Sequence, residues 1–245
     1  MPKTIVITGA SRGIGAATAI LAGKKGYNVV VNYLKNRDAA ETVADEIRRA
    51  GGKAIVVKAD VSEEKDVKRL FAAAVDAFGK VDMLVNNAGI LEKQSRLADI
   101  SADRWQRIFQ ANVLSCFLCC REAIKLMSGN NGGSIVNVSS VASQTGSPNE
   151  YVDYAASKGA VDSLTIGLAK EVAAENIRVN GVRPGFIYTD IHSDGGEPDR
   201  VERLKNTIPM LRGGSPEEVA HSILWLLSDE ASFCTGTFIN VTGGK

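Results

Sequence analysis

Seven short apolar runs, most of them rich in β-branched residues, recur along the chain with helix-length stretches between them. They are Ile5-Val6-Ile7, Val29-Val30-Val31, Ile55-Val56-Val57, Leu84-Val85, Ile135-Val136, Val179 with Val182, and Phe238-Ile239. Continuous apolar runs, rather than alternating ones, belong to strands buried on both faces of a parallel sheet. Helical patterns lie between them at about 13–25, 37–50, 63–77, 101–127, 155–175 and 215–228. Strand and helix alternate throughout, which predicts a doubly wound α/β sheet. Several boundaries have local causes. Ser215-Pro216-Glu217-Glu218 is a capping box with Pro at the first helical position. Gly51-Gly52 ends the second helix, and Pro184-Gly185 ends the sixth strand.

A chain of 245 residues allows one large domain or two small ones, and no linker or low-complexity segment divides it, so a single domain over 1–245 is expected. Residues 186–206 lack a clear pattern and read as a substrate loop. Lys plus Arg total 29 against 28 for Asp plus Glu, a net charge of +1 that argues against a nucleic-acid partner. No apolar run approaches the ~20 residues of a membrane span. Met1-Pro2-Lys3-Thr4 leads directly into a strand pattern and leaves no room for a targeting segment, so a cytoplasmic location is expected. Cys116, Cys119 and Cys120 crowd one helix with no second Cys or His pair at zinc spacing. They read as buried small apolar residues, and no metal is expected.

The first strand runs into Thr8-Gly9-Ala10-Ser11-Arg12-Gly13-Ile14-Gly15, and a helix follows. Glycines let such a turn approach a pyrophosphate, and the helix N-terminus offers unpaired N–H groups and a positive dipole end. Gly-rich turns also occur for packing reasons, but this placement between strand and helix is the context that a dinucleotide site requires. After the second strand, Asn32, Tyr33, Leu34 and Lys35 stand where an NAD site usually carries an acid, and none appears before Asp38. Arg12, Lys35 and Arg37 are the cations available to a 2′-phosphate. The expected cofactor is NADP(H) in preference to NAD(H).

With these features the sequence resembles a classical short-chain dehydrogenase/reductase over essentially its whole length. The motifs that carry the resemblance are Thr8-Gly9-x-x-x-Gly13-Ile14-Gly15, Asp60-Val61, Asn86-Asn87-Ala88-Gly89, Asn112, Ser140, Tyr154-x-x-x-Lys158 and Pro184-Gly185. It is most similar to glucose-dehydrogenase-like and 3-oxoacyl-reductase-like members and to bacterial oxidoreductases of unassigned substrate. The resemblance implies a Rossmann-like parallel sheet of order 3-2-1-4-5-6-7 with helices on both faces. It places Asp60 and Val61 at the adenine, and Asn87, Ala88 and Gly89 along the adenosine side. Pro184, Gly185, Ile187 and Thr189 would lie at the nicotinamide.

Tyr154 and Lys158 are four apart on a helix, so both project from one face. A free phenol, with a pKa near ~10, is a poor base at neutral pH. A lysine ammonium and an oxidised nicotinamide beside it would lower that value and let Tyr154 act as general acid or base. By resemblance, Lys158 also holds the nicotinamide ribose, Ser140 binds the substrate oxygen, and Asn112 holds a water that relays protons through Lys158. Ser139 leaves open which serine acts. Tyr151 is a rival tyrosine, but Ala155 stands where its lysine would be. Ser140 and Tyr154 are 14 apart, one more than the commonest family spacing, and the extra residue is expected in the loop at 144–150.

The implied activity is hydride transfer between NADP(H) and a carbonyl or secondary alcohol. A non-catalytic NADP-sensing protein on the same fold is the alternative, and an intact Ser140, Tyr154 and Lys158 speaks against it. The substrate wall is expected from 90–96, 144–151 and 186–203, where His192, Asp194 and Glu197 hint at a polar substrate such as a sugar or polyol. The family's habit of pairing its long helices, together with the apolar run Cys116 to Cys120, implies a homotetramer.

Overall fold

A computed structural model describes residues 2–245. Its seven strands are β1 (Thr4–Ile7), β2 (Asn28–Tyr33), β3 (Lys53–Lys58), β4 (Met83–Asn86), β5 (Gly133–Val138), β6 (Ile177–Pro184) and β7 (Phe238–Val241). They form one parallel sheet in the order β3-β2-β1-β4-β5-β6-β7. Each expected strand is present, and the order is the expected one.

The continuous apolar runs follow from burial on both sides. Ile5, Ile7, Val29, Val31, Val136 and Val182 face one core together with helices α1 (Gly13–Lys24), α2 (Arg37–Arg49) and α10 (Pro216–Leu227). Val6, Val30, Leu84, Ile135 and Val179 face the other. That core is closed by α3 (Glu64–Phe78), by α5 (Ser115–Ser128) and by α7 (Val152–Glu171), with α4 (Ala102–Phe109) packed against α7. Alternation of side chains across a strand sends neighbours to opposite cores, so consecutive positions are apolar, and buried polar exceptions such as Asn137 are hydrogen-bonded, here to Asn86 and Thr165. Cys116, Cys119 and Cys120 lie in the second core, as expected for small apolar residues.

The helices depart from expectation in two instructive places. The long helix over 101–127 is interrupted by a π-helical turn, Gln110–Leu114, between α4 and α5. Asn112 sits inside that turn. A π turn inserts a residue and reorients the side chains beyond it, and such turns gather at functional sites. The helix expected from 155 begins at Val152, with Tyr151 just before it. Asp153 accounts for the earlier start: its carboxylate accepts from the Tyr154 amide at 2.9 Å and stabilises the positive end of the helix.

Three short helices complete the molecule: α6 (Ala142–Thr145), α8 (Ile191–Asp194) and α9 (Arg200–Leu204). The last two give the patternless stretch 186–206 its structure. Between α6 and α7 the chain turns through Gly146, Ser147 and Asn149, all with positive φ. This is the loop expected to absorb the extra residue between Ser140 and Tyr154.

Leu84 lies on a central strand and is fully buried. Leu84→Ala should lower the unfolding free energy by about 2–5 kcal/mol in a urea titration, without changing the strand order.

Candidate active site

Strand order reverses between β1 and β4, and the crevice beyond the carboxyl ends of these strands is where doubly wound sheets bind ligands. A cavity of about 1090 Å³ opens there. The ends of β1 and β4 are joined by side-chain hydrogen bonds. Asn87 Nδ2 donates to Thr8 O at 2.9 Å and to Gly9 O at 3.0 Å, and the amides of Asn87 and Ala88 donate to Thr8 Oγ1. Gly9 and Gly13 take positive φ, as the tight turn demands. Gly15 serves packing: a Cβ there would meet Gly9 O at 2.4 Å and Asn87 Nδ2 at 2.5 Å. Helix α1 has no side-chain cap and no acid in its first turn. Its leading N–H groups thus fit an anion, and the glycine cradle fits a close-lying pyrophosphate.

Gly9, Ser11, Arg12, Gly13 and Ile14 line one end of the cavity, with Asp60 and Val61 beside them. Asn87, Ala88 and Gly89 form its floor, and Pro184, Gly185, Ile187 and Thr189 border the other side. A Cβ on Gly13 would stand 3.2 Å from Thr189 Cγ2, so the two walls nearly meet there.

Four expected positions are placed differently. Tyr33 does not reach the cavity; strand alternation turns it into the core behind α2. Asn32 lines the cavity, but its amide is taken: Oδ1 accepts from Gly9 N, and Nδ2 donates to Ala59 O. Arg37 turns along α2 toward Glu41, which leaves Lys35 as the cation after β2 that lines the cavity. Asn112 stands behind the wall. Its Oδ1 accepts from Ile90 N at 2.8 Å, and its Nδ2 donates to Ile90 O and to Ser157 Oγ, both at 3.1 Å. Through these bonds the side chain braces the 90–96 segment against α7.

Ser140, Tyr154 and Lys158 line the middle of the cavity together. Lys158 Nζ stands 5.6 Å from the Tyr154 ring centroid and donates to Val138 O at 2.8 Å. Ser140 lies against the phenol, while Ser139 is buried and its hydroxyl donates to Lys158 O at 3.3 Å. The start of α7 is held by a buried bidentate pair, in which Arg104 Nε meets Asp153 Oδ2 at 2.7 Å and Nη2 meets Oδ1 at 3.2 Å. Arg104 also donates to Lys93 O at 2.7 Å, which ties the same point to the 90–96 segment.

Burial sets the electrostatics of Tyr154 and Lys158. Burial pushes the Tyr154 phenol up to about 12, opposed by its contact with Ser140. Lys158 stands over the ring, where a cation beside the phenol favours its charged form. Burial also pulls Lys158 down to about 8 from an ordinary 10.5. At neutral pH the phenol is protonated and the lysine is a cation.

The expected polar substrate contacts are largely taken by neighbours. Asp194 pairs with Arg12, and Asp190 lies 3.9 Å from the same guanidinium. Glu197 meets Arg200 at 2.8 Å and Arg203 at 2.5 Å. Arg200, nearly buried in the wall, also pairs with Glu150 and stacks 4.8 Å from the Tyr151 ring centroid. Lys245 also lines the cavity; no local motif marks it, because it arrives from the far end of the chain.

Lys158 carries a folding cost that tests its role. Its lowered pKa penalises the cation fully below pH 8, and the penalty shrinks as pH rises toward 10.5. Lys158→Met should therefore hold or raise Tm at pH 7, by roughly 2–4 °C per kcal/mol relieved, with the gain fading in alkaline buffer. A scanning calorimetry series across pH checks this.

A family model described as enoyl-(acyl carrier protein) reductase matches residues 9–245. The chain is 57% identical over 243 residues to an uncharacterized oxidoreductase, YgfF, of Escherichia coli (strain K12), covering 98% of each. It is 40% identical to glucose 1-dehydrogenase 2 of Bacillus subtilis (strain 168), over 99% of this chain and 94% of the relative. The crystal structure of a short-chain type dehydrogenase/reductase from Mycobacterium marinum matches it with a TM-score of 0.93 at 35% identity, covering 99% of this chain and 94% of that one. Likeness over nearly the whole length, on a sheet wound in this order, means that the chain belongs to the short-chain dehydrogenase/reductase family of NAD(P)-using oxidoreductases.

Proposed function

We propose that this protein is an NADP(H)-dependent oxidoreductase that interconverts a carbonyl and a secondary alcohol, with Tyr154 as general acid and base. The observation that carries the reading is that Tyr154 and Lys158 face, from one side of α7, the same cavity whose far end is the uncapped, glycine-lined start of α1. When bound, the nicotinamide supplies or accepts the hydride. Tyr154, protonated at neutral pH, gives its proton to the carbonyl oxygen in the reductive direction and takes it back in the oxidative one. Ser140 donates to the same oxygen and stabilises its developing charge. Lys158 supplies a cation beside the phenol and the means to reprotonate it. Asn112 acts one step back, by fixing the 90–96 segment to α7.

The NADP(H) preference rests on the end of β2. Lys35 lines the cavity there, Arg12 lines it from the glycine turn while paired with Asp194, and the wall between Asn32 and Asn36 carries no acid. The three buried cysteines form no disulfide, which fits a reducing compartment and so a cytoplasmic location. A homotetramer is supported by an apolar face on α4, α5 and α7, where Trp105, Phe109, Val113, Leu114, Phe117 and Leu164 form an open groove. Phe117, from the apolar run Cys116 to Cys120, is 43% exposed there. Exposed apolar patches of this kind mark interaction surfaces, and light scattering should give a four-chain mass.

Tyr154→Phe should lower kcat at least ~10²-fold with NADPH binding unchanged, read on a panel of ketones, sugars, polyols and oxoacyl thioesters. Wild-type activity in the variant leaves no room for the Tyr154 role. In the wild type the reductive rate should fall as pH rises through about 8, where Lys158 loses its charge. Lys35→Glu should weaken NADPH by about tenfold or more, since a lost charge pair of 1.4 kcal/mol is a factor of ten. NADH affinity, titrated by fluorescence, should stay the same or improve.

A further inference from the structure

Two polar atoms in the cavity wall, the Tyr151 hydroxyl and His192 Nδ1, are buried without a hydrogen-bond partner. Both residues line the cavity and are more than nine-tenths buried. A buried polar atom left unpaired costs about 1–3 kcal/mol, and most native ones find a partner. Both lie near Arg200, whose guanidinium stands 4.8 Å from the Tyr151 ring centroid, and each lacks a partner that a ligand in the cavity could supply. Gln94 approaches the Tyr151 hydroxyl outside hydrogen-bond geometry, and its amide nitrogen donates to Glu197 at 2.5 Å.

The chemistry of the missing partner can be read from the two atoms. His192 Nε2 lies 3.1 Å from Ile187 O, which accepts only, so the ring proton sits on Nε2. Burial and the nearby Arg200 hold the imidazole below its ordinary pKa, and it is neutral at pH 7. Nδ1 is therefore a bare acceptor. Burial holds the Tyr151 phenol protonated, so it can donate. A carbonyl or carboxylate could satisfy the phenol but not Nδ1. A hydroxyl satisfies both, since it donates to one and accepts from the other. Arg200 does not recruit an anion here, because Glu150 and Glu197 already hold its guanidinium.

Position matters as well. Tyr151 stands immediately before α7 and Tyr154 in its first turn, and both line the same cavity. A hydroxyl held by Tyr151 thus belongs to a carbon close to the one that Tyr154 serves. The segment carrying α8 and α9 is held over this wall by side-chain contacts, Arg200 to Glu150 and Gln94 to Glu197. Such contacts can part to admit a substrate and re-form around it.

We propose that Tyr151 and His192 bind a hydroxyl on a carbon near the reacting one, so that the substrates are hydroxyketones and the corresponding diols or polyols rather than simple ketones. This rests on the reading of Tyr154 as the acid and base. It recasts the polar-substrate expectation: of His192, Asp194 and Glu197, only His192 keeps a free polar atom for the ligand.

The test uses matched probes, 3-hydroxy-2-butanone against 2-butanone and dihydroxyacetone against acetone, reduced by the full chain with NADPH. The wild type should favour the hydroxylated member by at least ~10²-fold in kcat/KM, since sites built to bond a hydroxyl reject its absence strongly. Tyr151→Phe keeps the ring beneath Arg200 and removes only the hydroxyl. His192→Gln keeps a donor for Ile187 O and removes the acceptor. Each should cut the preference at least tenfold, with the loss on the hydroxylated probe and NADPH affinity unchanged. The proposal is overturned if no hydroxylated probe outruns its partner in the wild type, which would mean that solvent satisfies these atoms, or if neither variant moves the ratio. Tyr154→Phe separates the two readings: silence on both probes keeps the Tyr154 assignment whatever the ratio shows, and retained turnover removes it.

Discussion

The Asn87 carboxamide holds the site open. By donating to Thr8 O and Gly9 O, it fixes the end of β4 to the turn after β1 at the place where the strand order reverses. Gly15 permits this contact, since any side chain there would strike both Asn87 and Gly9. The first turn of α1 is thereby aimed into the crevice with its amides free. The floor formed by Ala88 and Gly89 leads from there to Lys158, whose Nζ would lie 3.6 Å from a Cβ on Gly89. A change at this junction would disturb the phosphate end and the proton-transfer end together.

Around the reacting centre, burial dominates over charge. Both the phenol and the ammonium are moved toward their neutral forms, one upward and one downward, and the contact with Ser140 only partly resists the first. The arrangement favours a phenol that holds its proton until an oxygen comes to claim it. The supporting shell accepts buried charge to keep this geometry. Asp153, fully buried, is matched by Arg104 from a different helix. Buried pairs of this kind contribute little net stability, and orientation is the better account of them.

The strands were legible because a parallel sheet covered on both faces favours continuous apolar runs. The glycine turn and the Tyr-x-x-x-Lys pair were legible because their spacing is local. What escaped depends on long-range packing. Nothing near Arg12 in sequence points to Asp194, nor near Arg200 to Glu150, nor near Arg104 to Asp153. Tyr33 was misplaced because one residue along a strand changes the face, and Arg37 because Glu41 waits one turn along its own helix. The π turn at Asn112 has no compositional mark, and the rise in the Tyr154 pKa comes from burial in the folded cavity wall rather than from any neighbour in the chain.

The ladder that creates the crevice also closes the longest loop in the sheet. Ile5 pairs with Met83, whereas β1 and β2 pair Thr4 with Asn28, and β4 and β5 pair Met83 with Ser134. Distant pairings carry the largest entropy of closure and slow the search for the native topology. A nascent chain can join β1 to β2 and β2 to β3 early, but the seam between the two halves must wait for β4. Until then the halves expose unpaired edges, and this interval is when the protein is most open to misassociation.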